Sequence, residues 1–245
     1  MKEITSINND YIKYLLKLKE KKYRHLEKKF IIEGYHLVNE AYQAKMLKEV
    51  LVIDDDEKFE GVSVIKVTDQ IIKKLSSTIT PQNIIGICDI SNEKEIKGKK
   101  ILLLDNINDP GNLGTLIRSS LGFGIDTIVL SEDCVDLYNE KVIRATQGAI
   151  FKINIIINDL KETIEYLQKH DIKVFGTSLE SSKFLQEYKV NNNYAILLGN
   201  EANGVKKELL QLTNDNIKIE IDNKLESLNV AVAGSIIMYY FNNHN

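Results

Sequence analysis

Cysteine is scarce. Cys88 and Cys134 are the only two among 245 residues, and they share no paired spacing, which argues against a disulfide framework or a thiolate metal site. Cys88 sits in the apolar run 84–90 and reads as core. The four histidines, His25, His36, His170 and His244, are equally dispersed and lack the spacing of a zinc site. No metal is therefore expected. No apolar run approaches the roughly 18 residues of a membrane span, and the polar N-terminus lacks the apolar stretch of a secretory signal. Neither a membrane partner nor export is expected, and the chain reads as soluble and cytoplasmic. Repeats and low-complexity segments are absent too. The net charge of −3, from 32 Lys and Arg against 35 Asp and Glu, does not advertise a nucleic-acid partner over the whole surface.

Locally the charge is different. Residues 13–29 carry Lys13, Lys17, Lys19, Lys21, Lys22, Arg24, Lys28 and Lys29 against only Glu20 and Glu27. Read as a basic helix, such a segment can neutralise phosphates; the plainer alternative is a solvated helix face. With 43% hydrophobic residues the chain can bury a sizeable core, in one large α/β domain or in a small and a medium one. The best boundary is the polar stretch 91–100, which divides the chain into domains 1–92 and 93–245. Before it, helices are expected over 11–22, 36–44 and 69–75, the last capped by Asp69, with strands at 30–32, 50–53, 62–67 and 84–90. After it, continuous apolar runs at 101–104, 127–130, 153–157, 173–175, 195–198 and 217–221 alternate with helical stretches. That pattern predicts a mostly parallel sheet covered on both faces, with ligands at the carboxyl ends of its strands.

Three polar corners stand at such ends. In the first, residues 105–118, Asp109-Pro110 starts a helix. Arg118, two turns in, leans back toward its mouth as a phosphate or carboxylate clamp. The segment is not a dinucleotide-binding fingerprint, because the second and third glycines of that pattern are missing. In the second, Leu198-Gly199-Asn200-Glu201-Ala202-Asn203-Gly204, Gly199 leaves room for a flat ring. Glu201 is expected at a helix start, where the dipole favours its charge. In the third, Glu226, Ser227 and Asn229 lead into an apolar helix, with Ser227 as the cap and Val230, Val232, Ala233, Ile236 and Ile237 buried.

Taken together, Asn112 with Arg118, Gly199-Asn200-Glu201 with Gly204, and Ser227-Leu228-Asn229 resemble the three motifs of the SpoU (TrmH-like) RNA ribose 2′-O-methyltransferases. The stretch from Arg144 to Ala149 is similar to the same family. So are Ile4 to Asn8, Lys13, Arg24, Phe30 to Gly34 and Thr80-Pro81-Gln82, which match its substrate-binding domain. Two departures stand out: Ile219-Glu220-Ile221 where the family has an apolar residue, Pro and Met, and Asn83 where it has Gly. The resemblance implies a SPOUT fold, an α/β domain with a mostly parallel sheet and a C-terminal trefoil knot, preceded by a small α/β RNA-binding domain. It implies S-adenosylmethionine as cofactor, resting on Thr177, Gly199, Asn200, Gly204, Ile219 and Leu228. It also implies a homodimer, and RNA as partner through Lys13, Lys17, Arg24 and Arg144. The catalytic set it points to is Arg118 at the nucleophile, with Asn112, Glu201, Ser227 and Asn229 orienting Arg118 and the ribose.

The two-domain build points to ribosomal RNA, with transfer RNA as the alternative substrate. A non-catalytic RNA-binding dimer would keep the fold without turnover, yet no motif position is broken. A nucleotide-linked metabolic enzyme on an ordinary doubly wound sheet fits the strands but leaves the third corner unexplained.

Overall fold

The computed structural model describes residues 2–54, 59–90, 95–181, 183–189 and 191–244. Part of the boundary stretch, 91–94, lies outside them. The elements run β1 (Lys2–Ile4), α1 (Asp10–Lys17), α2 (Lys21–Glu27), β2 (Lys29–Glu33), α3 (Tyr35–Gln43), β3 (Leu47–Val52), β4 (Ser63–Val67), α4 (Asp69–Leu75) and β5 (Ile84–Asp89). They continue through β6 (Lys100–Leu104), α5 (Pro110–Gly122), β7 (Thr127–Leu130), α6 (Glu140–Thr146), β8 (Asn154–Ile157) and α7 (Leu160–Lys169). The last are β9 (Lys173–Thr177), β10 (Tyr194–Leu198), α8 (Lys207–Leu210), β11 (Asp215–Ile217) and α9 (Val230–Asn243). Two compact units result: Met1–Asn92 with Tyr138–Phe151, and Glu93–Leu137 with Lys152–Asn245. Residues 138–151 are the one excursion of the later chain into the first unit. They go with the first unit because Tyr138 and Phe151 put their rings on the fully buried Phe30 of β2.

In the first unit the sheet order is β1-β4-β3-β5-β2, with β5 antiparallel to both neighbours. The basic segment is not one helix. Its chain turns at 18–20, and Arg24 folds back to donate to the carbonyls of Leu18 (2.9 Å) and Lys19 (2.7 Å). These are orphan acceptors just past the end of α1, and a buried guanidinium satisfies them. Asp69 is the first residue of α4; Thr68 holds the cap position without a side-chain hydrogen bond.

The second unit has six parallel strands in the order β11-β9-β10-β6-β7-β8. Every residue of β7 and β10 is buried, as are all but the first of β6, as expected for a sheet covered on both faces. Ile101, Leu103, Ala195 and Leu197 pack with Ile164, Leu167 and Leu209 of α7 and α8; each of the isoleucines and leucines, fully buried, stabilises by about 1.5–3 kcal/mol. On the Leu198 side lies α9, close against α5. A Cβ on Gly234 would come within 2.5 Å of Leu198 and 2.6 Å of Leu116.

The strand order reverses beside β6, which has β7 on one side and β10 on the other. Ligands of parallel sheets bind at such switch points, outside the carboxyl ends of the strands. The loops after β6 and β10 therefore have the position of a site before any side chain is considered. Strand β11 ends at Ile217 rather than at 221, because Lys218 bridges to Phe184 instead of continuing the sheet.

Candidate active site

The loop after β6 is rich in residues that tolerate turns: Asp105, Asn106, Asn108 and Asp109, with Asn106 at φ 56°. Asp109 caps α5, its carboxylate accepting from the Asn112 amide at 2.8 Å, with Pro110 in the first turn. Buried Asp105 accepts from the backbone N–H of Lys206 (2.9 Å), while the Lys206 ammonium lies 3.4 Å from Asp105 and 3.1 Å from Asp133. The Asp133 hydrogen bond and the Asp105 charge outweigh partial burial and push the Lys206 pKa up. This clamp fastens the loop after β10 to the loops after β6 and β7.

The loop after β10 closes on itself. Asn200 and Gly204 exchange backbone hydrogen bonds of 3.0 and 2.9 Å, and the Asn200 side-chain amide donates to the Asn106 carbonyl at 2.8 Å. Gly199 is glycine for a different reason from the one expected. A Cβ there would stand 2.1 Å from the Val205 nitrogen and 2.2 Å from the Gly204 carbonyl carbon, so the loop's own backbone fills the space reserved for a ligand ring. Gly204 adopts φ +67° and has open space beside it.

Glu201 is not at a helix start; it lies in the turn before α8, which begins at Lys207. Its carboxylate instead accepts from the backbone amides of Asn108 (3.3 Å) and Asp109 (3.2 Å) and from the Asn112 side chain (3.0 Å). The Asn112 oxygen accepts from the Asn229 amide at 2.9 Å, and the Asn229 oxygen accepts from the N–H groups of Ala231 and Val232. So Asn229, not Ser227, caps α9.

The order of this chain of groups follows from donor and acceptor chemistry. A carboxylate only accepts, so Asn112 must turn its NH₂ to Glu201 and its oxygen away. That oxygen selects the NH₂ of Asn229, which leaves the Asn229 oxygen for the orphan N–H groups of α9. One charge thereby sets the orientation of two amides and joins all three corners. Burial alone would raise the Glu201 pKa; the Asn112 hydrogen bond and the amides of Glu201, Asp109 and Asn108 outweigh it and hold it below the usual carboxylate range.

A group with a lowered folded pKa stabilises the fold above its unfolded value, near 4.5 here, and that contribution disappears as pH falls through the folded value. Glu201→Gln is accordingly expected to melt lower than the unaltered protein at pH 7, with the gap closing as the pH falls below 4.5. Thermal melts across that range check this, and a gap independent of pH contradicts it.

Arg118 and Ser227 are exposed, and neither makes a hydrogen bond to the Glu201–Asn112–Asn229 line among the described residues. Thr177 closes β9, its hydroxyl donating to the Leu197 carbonyl at 3.0 Å, and Ile219 and Leu228 are half-buried in the segments after β11. Of the RNA candidates, Lys13 pairs with Asp10 at 2.9 Å and Lys17 lies over the Tyr23 ring. Arg24 is only 5% exposed, and Arg144 donates to the Ser77 hydroxyl. A cavity lined by Lys19, Arg24, Glu33, Ser77 and Arg144 belongs to the first unit, apart from the three corners. No group of three or more His, Cys, Asp or Glu placed to hold a metal occurs among the described residues. No described helix is long and apolar enough to cross a membrane.

Sequence reading missed the Lys206 clamp and the capping role of Asn229. The second was findable, since Asn caps as well as Ser does and stands immediately before the first helical residue.

Residues 9–86 match the MRM3-like substrate binding domain. The 23S rRNA (guanosine(2553)-2′-O)-methyltransferase RlmP of Bacillus subtilis is 36% identical over 98% of this chain and 99% of its own length. The human mitochondrial rRNA methyltransferase 3 is 28% identical over 91% of this chain and 69% of its own. The crystal structure of an AdoMet-bound rRNA methyltransferase from Sinorhizobium meliloti superposes with a TM-score of 0.90 at 26% identity, covering 99% of this chain and 98% of that one. Residues 99–239, which hold all three corners, match the SpoU rRNA Methylase family, and to that family the chain belongs.

Proposed function

We propose that the chain is an S-adenosylmethionine-dependent RNA 2′-O-ribose methyltransferase acting on large-subunit ribosomal RNA in the cytoplasm. The observation that carries this is the Glu201–Asn112–Asn229 line, which draws three distant corners to the carboxyl edge of a parallel sheet at its switch point. The rRNA-directed relative matches both units end to end, and the separate substrate-binding match supports an RNA partner.

The residues present fit the cofactor. The open space beside Gly204 and the half-buried side chains of Thr177, Ile219 and Leu228 are of the mainly apolar kind, with a few polar groups, that such a cofactor takes. Bound there, with Gly199 and Asn200 shaping the loop, S-adenosylmethionine supplies an electrophilic methyl group. The chain must hold a ribose hydroxyl in line with it and ease the loss of the hydroxyl proton. Arg118 clamps the neighbouring phosphate through its planar fork of donors and stabilises the developing alkoxide. Asn112 and Asn229, oriented by Glu201, fix the ribose, with Ser227 at the mouth. Lys13 and Lys17 track the RNA backbone, and Arg24 supports them through the turn that it braces.

The trefoil threading belongs to the same reading. The chain leaves β11 at the sheet edge and returns through α9 onto α5 and β10. So does the homodimer. Val232, Ile236 and Tyr239 of α9, at helical spacing, are 49%, 37% and 55% exposed, where burial was expected for the first two. A helix apolar on all sides needs a second cover, and a second copy provides it. Ile236→Asp is expected to convert a dimer of twice 27.9 kDa into monomer by light scattering; an unchanged mass contradicts this. The function itself is tested by mapping 2′-O-methyl groups in large-subunit rRNA from cells with and without this gene. One ribose methyl group should vanish, with guanosines the first positions to inspect, and an unchanged map rules the proposal out.

A further inference from the structure

Ile79 is 104% exposed, at the tip of the segment 76–82 in the first unit. A lone exposed isoleucine needs no explanation by itself; what sets this one apart is the bracing beneath it. Glu33, the last residue of β2, accepts from the Ser76 hydroxyl (2.7 Å), the Thr78 hydroxyl (2.6 Å) and the Ser77 amide (3.2 Å). At the other end the Gln82 side-chain oxygen accepts from the Tyr35 amide (3.0 Å). The Gln82 side chain also occupies the space a Cβ on Gly34 would need, and Gly34 itself adopts φ +101°. Three consecutive residues, Glu33-Gly34-Tyr35, thus fasten both ends of the loop.

Two cations flank its base. The Lys19 ammonium donates to the Ser76 carbonyl at 3.0 Å, and the Arg144 guanidinium donates to the Ser77 hydroxyl. From Ser76 to Ile79 the chain spans at most about 10 Å. An apolar tip and two positive groups therefore lie within the reach of one or two nucleotides.

We propose that this braced tip is an RNA contact: Ile79 packs against an unpaired base while Lys19 and Arg144 meet the adjoining phosphates, with Glu33 as the positioning residue. Apolar wedges beside bases and cations on phosphates are the elementary parts of such recognition, and unpaired stretches are where RNA sequence is read. A loop fastened before binding loses little freedom on binding. The inference rests on the reading of the chain as an RNA methyltransferase and adds to it where specificity resides.

The test is filter retention of radiolabelled large-subunit rRNA, transcribed without modification, by the full chain over a range of salt concentrations. Ile79→Ala should weaken binding at least fivefold with an unchanged salt slope, an unchanged melting temperature and unchanged calorimetric affinity for S-adenosylmethionine. Lys19→Ala and Arg144→Ala should each reduce the salt slope by about one. Glu33→Gln should reproduce the Ile79→Ala loss. Binding by Ile79→Ala within twofold of the unaltered protein overturns the proposal, as does a loss seen with assembled ribosomal particles but not with naked RNA. Because the readout is binding, failure of the methyltransferase reading shows separately, as an unaltered protein that transfers no methyl group.

Discussion

Gly199→Ala is expected to destabilise the second unit by ~3 kcal/mol or more, at the upper end of what an inserted methyl group costs in a packed site. The methyl group would have to stand 2.1 Å from the Val205 nitrogen, and no side-chain rotation can relieve an overlap with backbone. The backbone that would have to move is fixed by the Asn200–Gly204 hydrogen bonds and by the Lys206–Asp105 clamp, so relief means opening the loop after β10. Gly204→Ala is the control. It meets open space and suffers only its left-handed φ, roughly 1–2 kcal/mol. Thermal melts should rank Gly199→Ala well below Gly204→Ala, with a drop of roughly 6 °C or more for the former at this chain length. S-adenosylmethionine affinity should fall with it. Equal melting temperatures for the two variants would show that the loop is not held as described.

Arg118→Ala should act in the opposite way, leaving stability alone and removing turnover. The side chain is exposed and makes no hydrogen bond or ion pair among the described residues, so its loss leaves no orphaned partner. Removing one donor that stabilises a developing oxyanion costs about 10²–10³ in kcat, and the loss should fall on kcat rather than on cofactor affinity. Arg118→Lys keeps the charge but not the planar fork and should recover part of the rate. With Arg118 acting as a clamp rather than as the proton acceptor, the shape of the pH–rate profile should be the same with and without it. Loss of an ascending limb in Arg118→Ala would instead make Arg118 the proton acceptor.

Much of the fold was legible because both units bury continuous apolar strands. β7 falls on the expected residues, and β6 and β10 each begin one residue earlier. The Asp109-Pro110 start of α5 was legible for the same kind of reason: cap and first-turn residues are local chemistry. What escaped depends on partners distant in sequence. Arg24 looked like a surface cation and is buried, since the carbonyls that claim it lie across a turn. Glu201 looked like a helix-start residue, yet the amides that hold its charge belong to a loop 92 and 93 positions earlier. Val232 and Ile236 looked like core because hydrophobicity alone does not tell the buried face of a helix from its exposed one. The excursion of 138–151 into the first unit follows aromatic packing on Phe30 that no local pattern announces.

The most direct test of the central claim is transfer of tritiated methyl groups from S-adenosylmethionine to unmodified large-subunit rRNA, followed by alkaline digestion. A methyl group on the 2′-oxygen blocks cleavage of the adjoining phosphodiester. The account predicts label in alkali-resistant dinucleotides, lost in Asn112→Ala and Arg118→Ala; label in alkali-labile mononucleotides, or equal transfer by those variants, would contradict it.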